Sequence, residues 1–485
     1  MGDLAEEMKE PAGSVKEPIG SMRDPANKSH VTYQVMAAGA VGIGSLVSLT
    51  AMSYTSPALP SMRADPHFSI TKEQESWVGA AMPACALVGS LATGTLVDRL
   101  GRRATLLHLT WPLVISWVMI ATSEGVGGVV VGRMVGGVCV GVQTAARLVF
   151  MSETVQLSLR HVLAAIPALS ANLGLLVSFT AGEFLSWRGL AWLGAALSLP
   201  VVLLLLPLPE TPSHLTRIGK KEASLAALRQ LRCTPQDAEQ EQQQISNSFS
   251  SRENNSHVSV WELVQPPNLW PVSVAAGLML AQQATGFTAV VSFTSTILDT
   301  GKEGTSNSSS TFLLGVVNVL GTFVTLFLLA RVKRRYLLFV STVMTVASLL
   351  TLSLFFWAKE AGGYISIMAK TLYLVPTLAL VAYMFASSLG WRIIPWVFLG
   401  EGMPSRVRGN GVAMAVAVHW ASSFLITKTF GWCMSSLGAH NTFLGYAVLT
   451  SVSYLLLHRN IPETFHLSPA QMDEIYNKAA NKKQE

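Results

Sequence analysis

Two adjacent amides, Gln282 and Gln283, are followed by Thr285, Gly286 and Thr288 inside an apolar run that begins near Leu269 and ends near Ile297. In hydrocarbon each polar side chain must find a partner. One use for this cluster is holding a neutral polyhydroxy solute in a wet cavity, because an amide both donates and accepts. The other is hydrogen bonding between helices, with Gly286 allowing close approach. On a continuous helix the two amides diverge by about 100°. Gly286, four residues after Gln282, then leaves open space above that side chain. Covalent chemistry finds no support. The polar segments contain no nucleotide-binding glycine loop, no metal-spaced Cys/His cluster and no serine triad. The chain is not expected to be an enzyme, and no cofactor or metal is expected.

The elements that must position these residues follow from composition. Of 485 residues, 50% are hydrophobic and 13% charged, against about 25% charged in a soluble domain. Such a chain lives in a lipid bilayer. The net charge of +6 is modest, is read by location, and implies no nucleic-acid partner. Apolar runs of about 20 residues fall at 34–55, 77–97, 105–123, 127–150, 162–183 and 188–207, and again at 269–298, 311–330, 336–357, 370–398, 408–431 and 441–458. The expected fold is an all-α membrane protein with twelve transmembrane helices in two six-helix pseudo-repeats. The expected divisions are a polar tail over 1–33, a bundle over 34–207, a linker with short helices over 208–268, a second bundle over 269–458 and a tail over 459–485. The first tail has no apolar core that would read as a cleavable signal. Four cysteines, three of them in apolar segments, give no disulfide framework.

Charge sets the orientation. Arg99, Arg102 and Arg103 follow the second run, Arg217 to Arg232 the sixth, Arg331 to Arg335 the eighth, and Arg406 and Arg408 the tenth. Basic loops lie in the cytoplasm, so both termini are expected there, in a plasma-membrane protein. Of three glycosylation sequons, those at Asn27 and Asn254 then lie inside, and only Asn307 lies outside. The halves echo one another: Glu153 precedes Arg160 by the same seven residues that separate Glu401 from Arg408, and each half ends in Pro-Glu-Thr, at 209–211 and 462–464. A duplicated set of six helices reads as a transporter with its site between the repeats.

The motifs carry a family resemblance. Gly94-Thr-Leu-Val-Asp98-Arg99-Leu-Gly101-Arg102-Arg103 resembles the loop signature of the major facilitator superfamily. With Arg133-Met-Val-Gly-Gly137, Ser152-Glu153-Thr154, Pro209-Glu210-Thr211-Pro212, Gln282-Gln283-Ala-Thr-Gly286, Pro395-Trp396, Glu401 and Pro462-Glu463-Thr464, the chain resembles the sugar porter family from about Val35 to Ser468. Tyr54-Thr-Ser-Pro-Ala-Leu59, Gln74-Glu-Ser-Trp-Val-Gly79 and Met151-Ser-Glu-Thr-Val-Gln156 look like its insect-type facilitated trehalose transporter branch. The resemblance implies a twelve-helix alternating-access carrier. It implies substrate contacts at Gln282, Gln283, Gly286, Thr288, Asn318, Trp396 and His419. It also implies a gating lattice of salt bridges among Asp98, Arg99, Arg102, Arg103, Glu153, Arg160, Glu401 and Arg408.

Departures from the family pattern gather at the substrate positions. Thr288 stands for an Asn, Ser292 and Phe293 for paired aromatics, His419 for the Asn before Trp420, and Ala168 for a frequent Gln. Arg392-Ile393 replaces Gly-Pro, and the second-half basic loop lacks its Asp and Gly. Two arginines stand at membrane depth, where an unpaired one costs at least about 2.5 kcal/mol. Arg147 is expected to snorkel toward Glu153, with the cavity as the other reading. For Arg392 cavity and structural pairing weigh equally, and Lys428 and His419 are further cavity candidates.

The leading expectation is a facilitative uniporter of a hexose or a disaccharide such as trehalose. The stretch 34–60 holds no Asp or Glu to accept a coupling proton. The rivals are a carrier of an anionic or zwitterionic solute on the same fold, and a non-transporting sugar sensor. The expected partners are the small solute and the lipid bilayer.

Overall fold

The protein is described by a computed structural model over residues 25–156, 159, 163, 165–232, 234–253, 263, 265, 268–301, 308–361, 371–372, 374–403 and 408–463. Most of the two expected tails lies outside these residues. Ten helices among the described residues are long and apolar enough to cross a membrane. One of them, Gly409–Leu457, is two crossings joined at Gly438, whose φ of 83° reverses the chain. Ala165–Ala181 is a shorter apolar helix. The fold is thus the expected all-α arrangement of twelve crossings.

In chain order the crossings are Pro25–Ser53 continued by Thr55–Ala64, Lys72–Leu100, Arg102–Thr122, Val126–Thr154, Ala165–Ala181 and Trp187–Leu205. The second set is Leu269–Ala284 continued by Phe287–Gly301, Ser308–Leu329, Arg334–Glu360, Val375–Leu389 continued by Ile394–Glu401, Arg408–Trp432 and Gly438–Leu457. Three short helices, Pro212–Arg217, Lys221–Leu231 and Pro235–Glu253, lie between the sets. The run expected at 370–398 is split because Gly390 to Ile393 leave helical geometry before Pro395, whose ring fixes φ and offers no N–H.

Lipid tails are as apolar as leucine, so crossings associate through close packing rather than through exclusion of water. The second and fourth crossings show how. A side chain at Gly137 would start 2.3 Å from the Met82 carbonyl, and one at Gly141 2.1 Å from that of Ala86. Gly89 faces the Val138 carbonyl at 2.2 Å in the same way. Only glycine fits there. Beneath them Arg133 is buried and donates to the carbonyls of Ala51 and Val78 and to Thr55 Oγ1, which fixes the kinked first crossing.

The two sets of six meet at the midplane and toward the end of the bundle opposite the Asp98–Arg103 loop. At the midplane Asn318 Nδ2 donates to Asn172 Oδ1 at 2.8 Å, and Asn172 Nδ2 to Thr322 Oγ1 at 2.8 Å. Further along, Ser56 and Ser295 hydroxyls sit 3.0 Å apart, and the Phe293 ring lies against the bare face of Gly79. At the far end Lys428 Nζ reaches Glu73 at 2.6 Å and lies over the Trp77 ring.

Candidate functional site

The amide cluster lies at a helix break. Gly286 has φ 80°, a conformation costly for other residues, and it separates Leu269–Ala284 from Phe287–Gly301. The open space expected above Gln282 on a continuous helix is therefore absent. The bare face of Gly286 is covered by the Tyr446 ring, 2.8 Å from where a Cβ would sit. The break instead turns both amides inward, where they are buried.

Gln283 is used at both ends. Its Nε2 lies 3.1 Å from His419 Nδ1, and its Oε1 accepts from Thr288 Oγ1. His419 in turn meets Trp396 edge-on, with ring centroids 5.1 Å apart. Gln282 Nε2 donates to the carbonyls of Trp391 and Arg392, at 2.8 and 3.2 Å, which holds the unwound stretch of the tenth crossing. Gln282 Oε1 is buried with no hydrogen-bond partner. Such an orphan acceptor costs about 1–3 kcal/mol unless a ligand completes it.

Asn318 is nearby but fully engaged. Its Oδ1 accepts from Ser388 Oγ at 3.0 Å and from Arg392 Nη1, while its Nδ2 serves Asn172. The Arg392 guanidinium also lies over the Phe287 ring, 4.3 Å from the centroid. Six of the seven residues expected to hold substrate, Gln282, Gln283, Thr288, Asn318, Trp396 and His419, thus gather around the breaks in the seventh and tenth crossings. The seventh, Gly286, makes one of the breaks.

A narrow crevice, too tight to admit a water molecule, lies between the two sets of six, lined by Met82, Arg133, Thr288, Ser292, Trp420 and Ser423 among others. It has no room for a solute while the halves keep this arrangement. Two of its walls carry buried groups with no partner, the Trp420 indole N–H and the Ser423 hydroxyl. Ser423 was not singled out from the sequence. It is four residues after His419, on the same face of the eleventh crossing, and that spacing is the signal that would have found it.

The charged loop behaves differently from expectation in its partners. Glu153 pairs with Arg102 at 3.2 Å, and Asp98 pairs with Arg217 of the first linker helix. Arg103 donates to the carbonyls of Leu205 and Leu206, and Arg99 is exposed. Burial pushes His214 below the usual histidine range, so its neutral Nδ1 faces Arg102 Nη1 at 3.5 Å without repulsion. Glu210 caps the third crossing, accepting from the backbone N–H groups of Arg102, Arg103 and Ala104 at 2.8 to 3.0 Å. Arg160 and Asn307 lie outside the described residues, as do the side chains of Glu401 and Arg408.

Two membrane-depth charges depart from expectation. Arg147 does not reach Glu153, which Arg102 already holds. It turns to the first crossing, where Nη2 donates to Ser48 Oγ at 2.8 Å and Nη1, packed against Gly44, has no partner. Lys428 is no cavity group. It sits one turn from the end of its helix, paired with Glu73.

A family model described as sugar (and other) transporter matches residues 35–476. The chain is 36% identical to the facilitated trehalose transporter Tret1 of Anopheles gambiae over 441 residues, which is 90% of this chain and 55% of that protein. It is 35% identical to Tret1 of Polypedilum vanderplanki over 90% of this chain and 87% of that one. The chain spans about half the length of several of these relatives. Among solved structures, the proton:xylose symporter XylE of the major facilitator superfamily superposes with a TM-score of 0.76 at 20% identity, covering 92% of this chain and all of that one. That likeness is one of fold.

Proposed function

The chain belongs to the sugar transporter family, and from that premise we propose that it moves a sugar-like solute across the bilayer by alternating access, as a uniporter. The observation that carries this reading is the crevice between the halves, whose walls hold an unpaired indole N–H at Trp420 and an unpaired hydroxyl at Ser423. The orphan acceptor of Gln282 lies buried on the seventh crossing, six residues before Thr288 on the crevice wall. A polyhydroxy solute offers donors and acceptors to all three, and the surrounding rings of Trp420 and Trp396 offer faces for its C–H surface. The trehalose carriers among the relatives support a hexose or a disaccharide as the cargo.

The basic end is proposed to face the cytoplasm of a plasma-membrane protein, with Asn307 outside. Contacts at the opposite end, Ser56 with Ser295 and Lys428 with Glu73, then close the outer entrance. Opening that entrance requires these bonds to break, with Asp98, Arg102, Arg103, Glu153, Arg160, Glu401 and Arg408 ordering the inner side in exchange. Uniport is proposed because no carboxylate lies in the first crossing.

Uptake of a panel of labelled sugars, neutral and carboxylated, into liposomes holding the purified chain tests the reading. Saturable entry that falls with Gln283→Ala is the expected result. Entry no faster than into empty liposomes, for every sugar offered, would overturn it.

A further inference from the structure

Among the described residues, the membrane-spanning helices carry carboxylates only in their first or last turn: Glu73, Glu75, Asp98, Glu153, Asp299, Glu360 and Glu401. Three arginines nevertheless stand deep in the bundle. Arg133 spends its guanidinium on two carbonyls and a hydroxyl that brace the kinked first crossing. Arg147 and Arg392 are different. Among the described side chains neither meets a carboxylate, and each keeps N–H groups beyond its one hydrogen-bonded neutral partner, Ser48 or Asn318.

Arg392 is the better placed of the two. It interrupts the tenth crossing between Val375–Leu389 and Ile394–Glu401, so its backbone is held by the unwound stretch rather than by a helix. Two neighbours hold its side chain and a third its backbone. Asn318 takes one Nη1 proton, Phe287 supports one face of the fork, and Gln282 grips its own carbonyl. A guanidinium has five N–H donors in a planar fork matched to the two oxygens of a carboxylate. The side chain is half-buried rather than sealed, so the remaining donors can meet a solute. A few residues along the chain the positive end of the helix Ile394–Glu401 adds to the same field.

We propose that Arg392 anchors the cargo, and that the cargo is therefore a sugar carrying a carboxylate, an aldonate or uronate, rather than a neutral sugar. The inference rests on the reading of the chain as a carrier of sugar-like solutes, and it names the class. The carboxylate takes the free N–H groups of Arg392. The hydroxyls take Gln282 Oε1, the Trp420 N–H and the Ser423 hydroxyl. Asn318, which a neutral sugar would need, serves as the clamp that keeps the guanidinium in place. Arg147 on the opposite half raises the positive potential of the passage without touching the site.

The test uses the full chain in liposomes with labelled glucuronate, and unlabelled gluconate, glucose, trehalose and glucose 6-phosphate as competitors. The expected result is saturable glucuronate entry that gluconate blocks and the two neutral sugars do not. Arg392→Gln should lower that entry by about thirtyfold or more, the loss that follows removal of one desolvated charge partner, and Arg392→Lys should restore part of it. The competition profile of the unmodified chain decides the matter even if both variants fold poorly. Entry of glucose or trehalose that glucuronate does not slow would overturn the carboxylate and leave the carrier reading intact. Stronger competition by glucose 6-phosphate than by gluconate would overturn it in favour of a phosphate. No entry of any sugar, charged or neutral, would sink both readings together.

Discussion

Glu210 and Glu463 stand in the same tripeptide at the ends of the two halves, and each approaches the first backbone N–H groups of the third helix of its half. The first accepts from those of Arg102, Arg103 and Ala104 at 2.8 to 3.0 Å, and the second from those of Arg334 and Arg335 at the longer 3.3 and 3.4 Å. Around Glu210 lies a charged lattice of Asp98 with Arg217 and Arg102 with Glu153. The corresponding loop of the second half has Ala330 where the first has Asp98, and its Arg331 rests on the Phe327 ring instead. The polar residues of the second half are found at its centre, around the breaks at Gly286 and Gly390 to Ile393. Within one duplicated scaffold, the first half carries ion pairs around its basic loop, and the second is broken at mid-membrane, where its polar side chains gather.

Seven substitutions test that contrast. The largest effect is expected from Arg102→Leu. It leaves Glu153, whose side chain is 16% exposed, without its partner, and breaking such a pair costs about 3–5 kcal/mol. Arg331→Leu, which removes only a cation from an aromatic face, should cost about 1 kcal/mol or less. Thermal unfolding in detergent compares the two, and equal shifts would erase the asymmetry. Next comes Gln283→Ala, which strands His419 and Thr288 at once. A loss of about 2 kcal/mol in solute affinity, roughly thirtyfold, is expected. Gln143→Ala, at a buried first-half amide whose nitrogen has no partner, should change affinity only a few-fold; a larger loss there would move part of the site into the first half.

A smaller difference separates the caps. Glu210→Gln should lower stability by about 1–2 kcal/mol, as loss of a charged N-terminal cap does. Glu463→Gln, with its longer bonds, should lower it by less. The same unfolding assay reads both, and a reversed order would show that the second half is the more tightly capped. The smallest effect is expected from Asp98→Asn. Its pair with Arg217 is 45% and 38% exposed, and such surface pairs contribute about 0–1 kcal/mol. A shift above that range would mean that the linker helix is clamped to the bundle far more firmly than its exposure implies.

The crossings were legible in the sequence because a bilayer demands long apolar runs, and twelve of them could be counted. The family was legible because its loop and cap motifs are short, charged and local. The centre was less so. Gly286 marked a special position, but a glycine in an apolar run reads equally as a packing surface, and only the fold shows the break. The resemblance makes Asn318 a substrate contact, and its engagement by Arg392 and Asn172, 74 and 146 residues away in the chain, shows only in the fold. Arg147 was assigned to Glu153 by nearness along the helix, yet Arg102 from the preceding crossing reaches that carboxylate first. Lys428 is a cavity candidate by its place in an apolar run, whereas its charge lies one turn from the helix end, beside Glu73. Partnerships across the bundle are long-range properties, and spacing does not encode them.

The pairing proposed for Arg392 with a carboxylate has an electrical consequence. With a carboxylate bound, the site is close to neutral; when empty, it is a cation inside the insulating layer. The loaded and empty steps of the cycle therefore respond differently to a voltage across the membrane, where moving one full charge through 100 mV is worth about 2.3 kcal/mol. A cell that is negative inside favours returning the empty, positive carrier toward its inner face, where it loads again. The same field drives the bound anion outward in net terms. A chain built in this way would act in a polarised cell as a route of exit, and run inward only down an inward concentration gradient steep enough to outweigh the voltage.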